Sequence, residues 1–342
     1  MKFRTVRNAV AISVAAGLAA STALAAARSG SFDKAAPIAA PDDRWDFASW
    51  DSAHHLLLVA HGKDVLVIDP ASLGAVHAIG VLAGAHGVVA IPGTTRLLVT
   101  SGGDDSARIL DERSGAQLAN IAVAGDPDAV ILSRDGRTAY AMAAKAGAVS
   151  VIDLAKGVET ARIALKPGLE VPVLVSPGML AINNEDESEI EFADLATGKA
   201  AGAIALTGCE GPTGLALDPA TGLGLSACAN GKAALVDLRR RALVALVPIG
   251  DGPDTAIWDA RHSRFLVPCG RSGTLSIVRM NGRRPTVETA VGTEPSARTA
   301  ALDPATGRVY LPAARFGVPV PPSKRGAMEP GSFHIVVMVP RG

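Results

Sequence analysis

Between residues 87 and 125, apolar and polar positions alternate in short runs, with no spacing that would align one face of a helix. The stretch GVVAI reads as an apolar strand and PGTT as a turn. Then come RLLVT, the loop SGGDD, the two-sided strand SARILD, the turn ERSG, and a last strand in AQLANIAVAG. Four short β-runs divided by Gly, Pro, Asp and Ser predict a four-stranded antiparallel unit.

The unit recurs. The phrase LDPATG stands at Leu217–Gly222 and again at Leu302–Gly307, with weaker relatives in SWDSAHH, AIPGTTR, LSRDGR, VSPGM and WDARHSR. Taking the second turn position as landmark gives Asp51, Pro92, Ser133, Ser176, Asp218, Asp259 and Asp303, spaced 41 to 44 residues apart. A period in that range with four strands per repeat is the signature of propeller blades, and seven repeats predict a seven-bladed, all-β ring. A stacked β-solenoid fits less well, because its coils are shorter. The seventh repeat ends in SFHIVVMVPRG, a third strand with no fourth after it, whereas KAAPIAA precedes the first repeat unassigned. Pairing of that N-terminal segment with the C-terminal blade is the expected closure, since it removes two open sheet edges.

Ahead of the repeats, MKFRTVR is basic, NAVAISVAAGLAA is apolar and STALAAA offers small residues for cleavage. The pattern is that of a signal peptide over 1–26, leaving one propeller domain over 27–342 in the periplasm or outside the cell, with no membrane span in the mature form. Charge adds little: Lys+Arg and Asp+Glu are 33 each, which gives no basic stripe for nucleic acid. The 36 Gly and 22 Pro are spread evenly, as many turns require and a long linker does not.

Turn wording carries a resemblance. VIDLAKG, FADLATGK and LVDLRRR after β-runs, then ALDPATGRVYLP, together with GGDDS, GDPDA, NNEDESE and CEGPTGLALD, resemble the YVTN-type β-propeller repeat family of YncE-like proteins over essentially the whole mature chain. The resemblance implies an exported propeller and no particular reaction.

Candidate chemistry follows from ring geometry. Five residues before each landmark the inner strand begins at the channel mouth, giving Asp46, Gly87, Asp128, Val171, Thr213, Asp254 and Arg298, with His86 and Glu170 one step earlier. Loops on the same face bring His61, Asp104, Asp105 and the run 183–189, which contains Asn183, Asn184, Glu185 and Asp186; Glu210, Asn230 and Arg271 follow on later blades. Loop Asp and Asn also cap their own turns, so each is equally a turn former. Arg298 is expected to bridge Asp254 and Asp46 across the closure seam. The Asp128 side has no basic partner at matching positions and is the expected ligand side, with Asp128, Glu185 and Glu210 as the metal set and calcium as the possible divalent cation. His54 and His55, on the opposite face, are expected to face solvent.

Of the cysteines, Cys228 and Cys269 occupy equivalent places in adjacent blades and diverge outward, whereas Cys209 and Cys228 reach one face of one blade. A Cys209–Cys228 disulfide with Cys269 free is expected. No CxxC, haem CxxCH or nucleophile motif is present. A monomeric binding module for a small ligand, a cation or another periplasmic or outer-membrane protein is therefore the favoured function. A divalent-metal-dependent lactonase or esterase is the alternative. The insertion VPVPPSKRGAMEPG in the last repeat, carrying Lys324 and Arg325, is a candidate lid or partner contact.

Overall fold

The computed structural model describes residues 31–72, 75–176, 178–319 and 326–341, so the expected signal peptide and Lys324 and Arg325 lie outside the described residues. Among these, the strands form seven antiparallel sheets arranged in a ring. Blade two shows the grammar of the rest: Ala85–Ile91 innermost, then Arg96–Ser101, Ser106–Asp111 and Gln117–Ala122 outermost. Every inner strand contacts the inner strand of the next blade, and Ala301–Leu302 of blade seven returns to Ala48–Asp51 of blade one.

The core is divided among the seams rather than gathered at a centre. Each pair of neighbouring blades encloses its own cluster of Val, Leu, Ile and Ala, such as Leu58, Val65, Val88 and Leu97 between blades one and two. Small β-branched and aliphatic side chains suit this task, because two facing sheets interdigitate only if both present period-two apolar faces.

The N-terminus closes the ring as the unpaired third strand requires. Phe32–Lys34 and Ile38–Ala39 both pair with His334–Pro340, forming a divided outer strand for blade seven. Phe32 is fully buried in the seam between blades six and seven, with the Arg264 guanidinium 4.5 Å from its ring centroid.

The recurring turn has a physical reason. In LDPATG the Asp carboxylate accepts hydrogen bonds from the turn it begins: Asp218 from Ala220 N and Thr221 Oγ1, and Asp303 from Ala305 N and Thr306 Oγ1. A second Asp family, Asp69, Asp111, Asp153, Asp194 and Asp237, ends the third strands of blades one to five. Asp111 accepts from Ser114 Oγ and Ser114 N, which hold its carboxyl down at about 2. Cys209 and Cys228 form a disulfide with a Cα–Cα distance of 5.4 Å, and Cys269 is buried as a free thiol.

Candidate functional site

Inner strands run away from one channel mouth, so their first residues converge there. Asp46, His86, Asp128, Glu170, Asp254 and Arg298 form one electrostatic set. Asp46 is placed by backbone bonds: its N–H donates to Ala60 O, and its carbonyl accepts from Thr299 Oγ1 of blade seven. Asp128 is placed likewise, its carbonyl accepting from Thr100 Oγ1 of blade two at 2.6 Å. Phe47, next to Asp46, packs against the cluster between blades three and four and so reaches across the channel below the mouth.

Arg298 lies between two carboxylates, with Nε donating to Asp254 Oδ2 at 2.5 Å and an N–O separation of 3.5 Å to Asp46 Oδ1. Burial alone would weaken its charged form, but Asp254 and Asp46 outweigh burial and hold it above the ordinary guanidinium range. Opposite, His86 Nδ1 stands 2.7 Å from Asp46 Oδ2 and 3.5 Å from Asp128 Oδ1. The bond to Asp46 raises the imidazole above its usual value. Gly102 lets the neighbouring loop close on this ring, because a Cβ there would lie 2.9 Å from His86 Nε2.

Asp128 itself is left over. Its Oδ1 is buried and has no hydrogen-bond partner among the described residues. Burial, then the charge of Asp46, push its carboxyl up to about 8. Glu170 is raised well above the carboxylate range by burial and by Asp128 and Asp254. Two ionised carboxylates about 5 Å apart repel by roughly 3 kcal/mol at an effective dielectric near 20. One guanidinium and one imidazole do not neutralise four acids, so the mouth either holds protons or attracts a cation.

A cavity of about 470 Å³ opens beside this set, lined by Trp45, Asp46, His86, Arg298, Phe316 and Met328 among others. Phe316 and Met328 face each other across a β-bridge, so the two described flanks of the seventh-blade insertion lie side by side at the pocket wall. Trp45 packs on Phe316 and on Phe333 at ring separations of 6.1 Å and 5.1 Å. The pocket therefore combines an acidic floor with an aromatic and thioether wall.

Several expected site residues sit elsewhere. Asn183 is fully buried and ties a seam: its Nδ2 donates to Thr213 O and Gly214 O, and its Oδ1 accepts from Ser226 Oγ. Asn184 is also buried, donating to Pro167 O and Glu191. His61 is buried between Asp64 and the Pro41 carbonyl. These polar groups are consumed by backbone that would otherwise be unpaired, which is why they face inward. Asp104 accepts from Ser106 Oγ and pairs with Arg108, and the Asp105 carboxylate accepts from Asp126 N, so both serve loop geometry.

Glu185, Asp186 and Glu210 are exposed on the rim. Glu185 is raised by partial burial and by Asp186 and Asp254, which keeps it at the edge of the same field. The expected metal set of Asp128, Glu185 and Glu210 is not among the groups of described residues whose ligand atoms converge. The group that converges around Asp128, with ligand atoms all within 4.8 Å, is Asp46, His86 and Asp128. Strand starts converge at the channel, whereas Glu185 and Glu210 stand exposed in the loops beside it. His55 is exposed as expected, but His54 is not free: it meets Asp51 and Glu112.

No family model and no curated protein matches the chain. Among solved structures, Kuenenia stuttgartiensis hydrazine synthase superposes with a TM-score of 0.65 at 16% identity, covering 78% of this chain and 91% of that one. A chain of the mitotic checkpoint complex superposes with a TM-score of 0.75 at 15% identity, covering 98% and 99%. At such identities the likeness is one of fold.

Proposed function

We propose that this seven-bladed propeller is an exported binding module whose acidic channel mouth holds a cation. The cation is either a divalent metal ion or the ammonium head of a small ligand. The observation that carries this reading is the buried, unpartnered Oδ1 of Asp128 among Asp46, Glu170 and Asp254. A metal ion would take Asp46, His86 and Asp128 as ligands, and an ammonium group would set its apolar stem against Trp45 and Phe316. Export rests on the basic, apolar and small-residue order of the first 26 residues, with the Cys209–Cys228 disulfide in agreement. The YVTN-like turn wording belongs to the same reading. Among the described residues no helix is long and apolar enough to cross a membrane. The bridged flanks carrying Phe316 and Met328 wall the mouth, and serve there as the contact for the ligand or for another periplasmic or outer-membrane protein.

Calorimetric titration of chelator-stripped protein with calcium, manganese and a series of alkylammonium ions tests the reading. Binding by the parent and its loss in Asp128→Asn are expected, and replacing residues 318–326 with Gly-Ser-Gly should speed release. Equal binding by Asp128→Asn would place the site elsewhere.

One observation favours a second reading. His86 is oriented by Asp46 at 2.7 Å, the arrangement of a general acid or base beside a metal-bound water. Turnover of a lactone or ester that is abolished in His86→Ala would assign hydrolysis. No turnover across such a panel leaves the binding reading in place.

A further inference from the structure

On the face opposite the acidic mouth, the first inner turn of blade one meets the third-strand turn of blade two. Asp51, His54 and Glu112 converge there, with Asp51 Oδ2 at 2.7 Å and Glu112 Oε2 at 3.3 Å from His54 Nδ1. Both carboxylates are buried, with Glu112 only 6% exposed, and Glu112 Oε2 makes no well-aligned hydrogen bond, facing His54 Nδ1 at 3.3 Å within the cluster. The carboxylate of Asp51 is already aimed. Its Oδ1 accepts from Ala53 N at 2.8 Å and His54 N at 3.3 Å, which turns Oδ2 towards the cluster. Glu112 is anchored by its own N–H, which donates to Thr95 O.

We infer that Asp51, His54 and Glu112 form a zinc-type metal site that clips blade one to blade two. The donor set is two carboxylate oxygens and one imidazole nitrogen, which suits zinc better than calcium or magnesium. Four-coordinate zinc with bonds near 2.0–2.1 Å needs ligand atoms about 3.3 Å apart. The His54–Glu112 separation already has that value, and the His54–Asp51 pair opens by about 0.6 Å to reach it. Two carboxylates balance the dication. The half-exposed side of His54 leaves room for a water as fourth ligand.

Blade six supplies a comparison within the same molecule. It repeats the Asp-x-x-His turn, with His262 Nδ1 2.7 Å from Asp259 Oδ2. There, however, Arg264 Nε donates to that same oxygen at 2.8 Å, so the protein's own cation fills the position. In blade one the corresponding residue is Leu56, and the acid from the next blade is Glu112. The blade-one turn alone combines the motif with a second carboxylate and no guanidinium.

The test uses full-length protein stripped with chelator and desalted, in the Asp128→Asn background so that the mouth does not compete. Zinc titrated calorimetrically is expected to bind at one equivalent and to raise the melting temperature, and cobalt at the same site to give visible d–d bands. His54→Gln and, separately, the near-isosteric Glu112→Gln should each weaken zinc binding at least tenfold and abolish the cobalt bands. His262→Gln should bind as its background does. The inference is overturned if the Asp128→Asn background binds no zinc. It is equally overturned if folded Glu112→Gln or His54→Gln protein, checked by circular dichroism, binds zinc as tightly as that background. Absence of cation binding at the mouth of the parent, with zinc binding intact in this background, would count against the mouth alone.

Discussion

With its carboxyl pushed up to about 8 from an ordinary 3.8, Asp128 keeps a proton in the folded protein that the unfolded chain releases. Across the window from about pH 4 to pH 8 the native state binds the extra proton, so this group's contribution to stability falls as pH rises. In chelator, Asp128→Asn should melt close to the parent at pH 4–5 and progressively above it towards pH 8.5, followed by scanning fluorimetry. A gap that does not change with pH would mean that Asp128 is not strained by its neighbours. Arg298 works in the opposite sense. Its removal leaves Asp46 and Asp254 facing one another without a counter-charge, and Arg298→Ala should lose about 2 kcal/mol, a partly screened version of breaking a buried pair. The same residues show what could be read beforehand. Counting back from the turns places Asp46, Asp128, Asp254 and Arg298 on one ring, because each repeat returns its inner strand to the same height. The same count sets Arg298 between Asp254 and Asp46 and leaves Asp128 without a basic partner at matching positions, but no spacing encodes that His86 turns to Asp46 and stands 3.5 Å from Asp128.

At the level of single elements, the turn Asp is both the clearest sequence signal and the clearest structural device. Asp218 and Asp303 stand second in identical phrases and make matching bonds to their own turns. Blade five carries a further staple in Cys209–Cys228, which spans 19 residues. Closing a loop of that size removes unfolded-state freedom equivalent to about 3 kcal/mol. Replacing both cysteines by serine should therefore lower the denaturation free energy by about that amount in urea titrations, while Cys269→Ser should leave this linkage untouched. A double replacement as stable as the parent would show that the bridge adds nothing. Asn183 and Asn184 mark the opposite case. A polar run in a loop looks like a surface, yet both side chains turn inward to serve neighbouring backbone. Asn183 bonds Thr213, Gly214 and Ser226, 30, 31 and 43 positions away, and Asn184 bonds Pro167, 17 positions away, distances beyond any local pattern.

For the ring as a whole, closure is the decisive contact. Blade seven is complete only when residues from the start of the chain lie along His334–Pro340, and Phe32 fills the last seam. Deleting residues 31–42 should expose that strand's edge and empty the Phe32 site. A core phenylalanine lost to truncation costs on the order of 3–5 kcal/mol before the lost strand bonds are counted. A lower melting temperature and concentration-dependent aggregation in light scattering are expected. A truncated protein that melts with the parent would mean that the ring does not depend on its N-terminus.

The blade count, strand order, closure and the ring of strand starts at Asp46, Asp128, Asp254 and Arg298 were legible in the sequence alone. Each follows from a local period repeated seven times, and a period survives whatever the repeats later pack against. Tertiary structure decided the occupancy of every polar group. It turned His86 towards Asp46, buried Asn183 in a seam, left Glu185 and Glu210 exposed on the rim and joined His54 to Glu112. Charges and hydrogen bonds act over a few ångströms between blades about forty residues apart in sequence, so their balance exists only once the ring has closed.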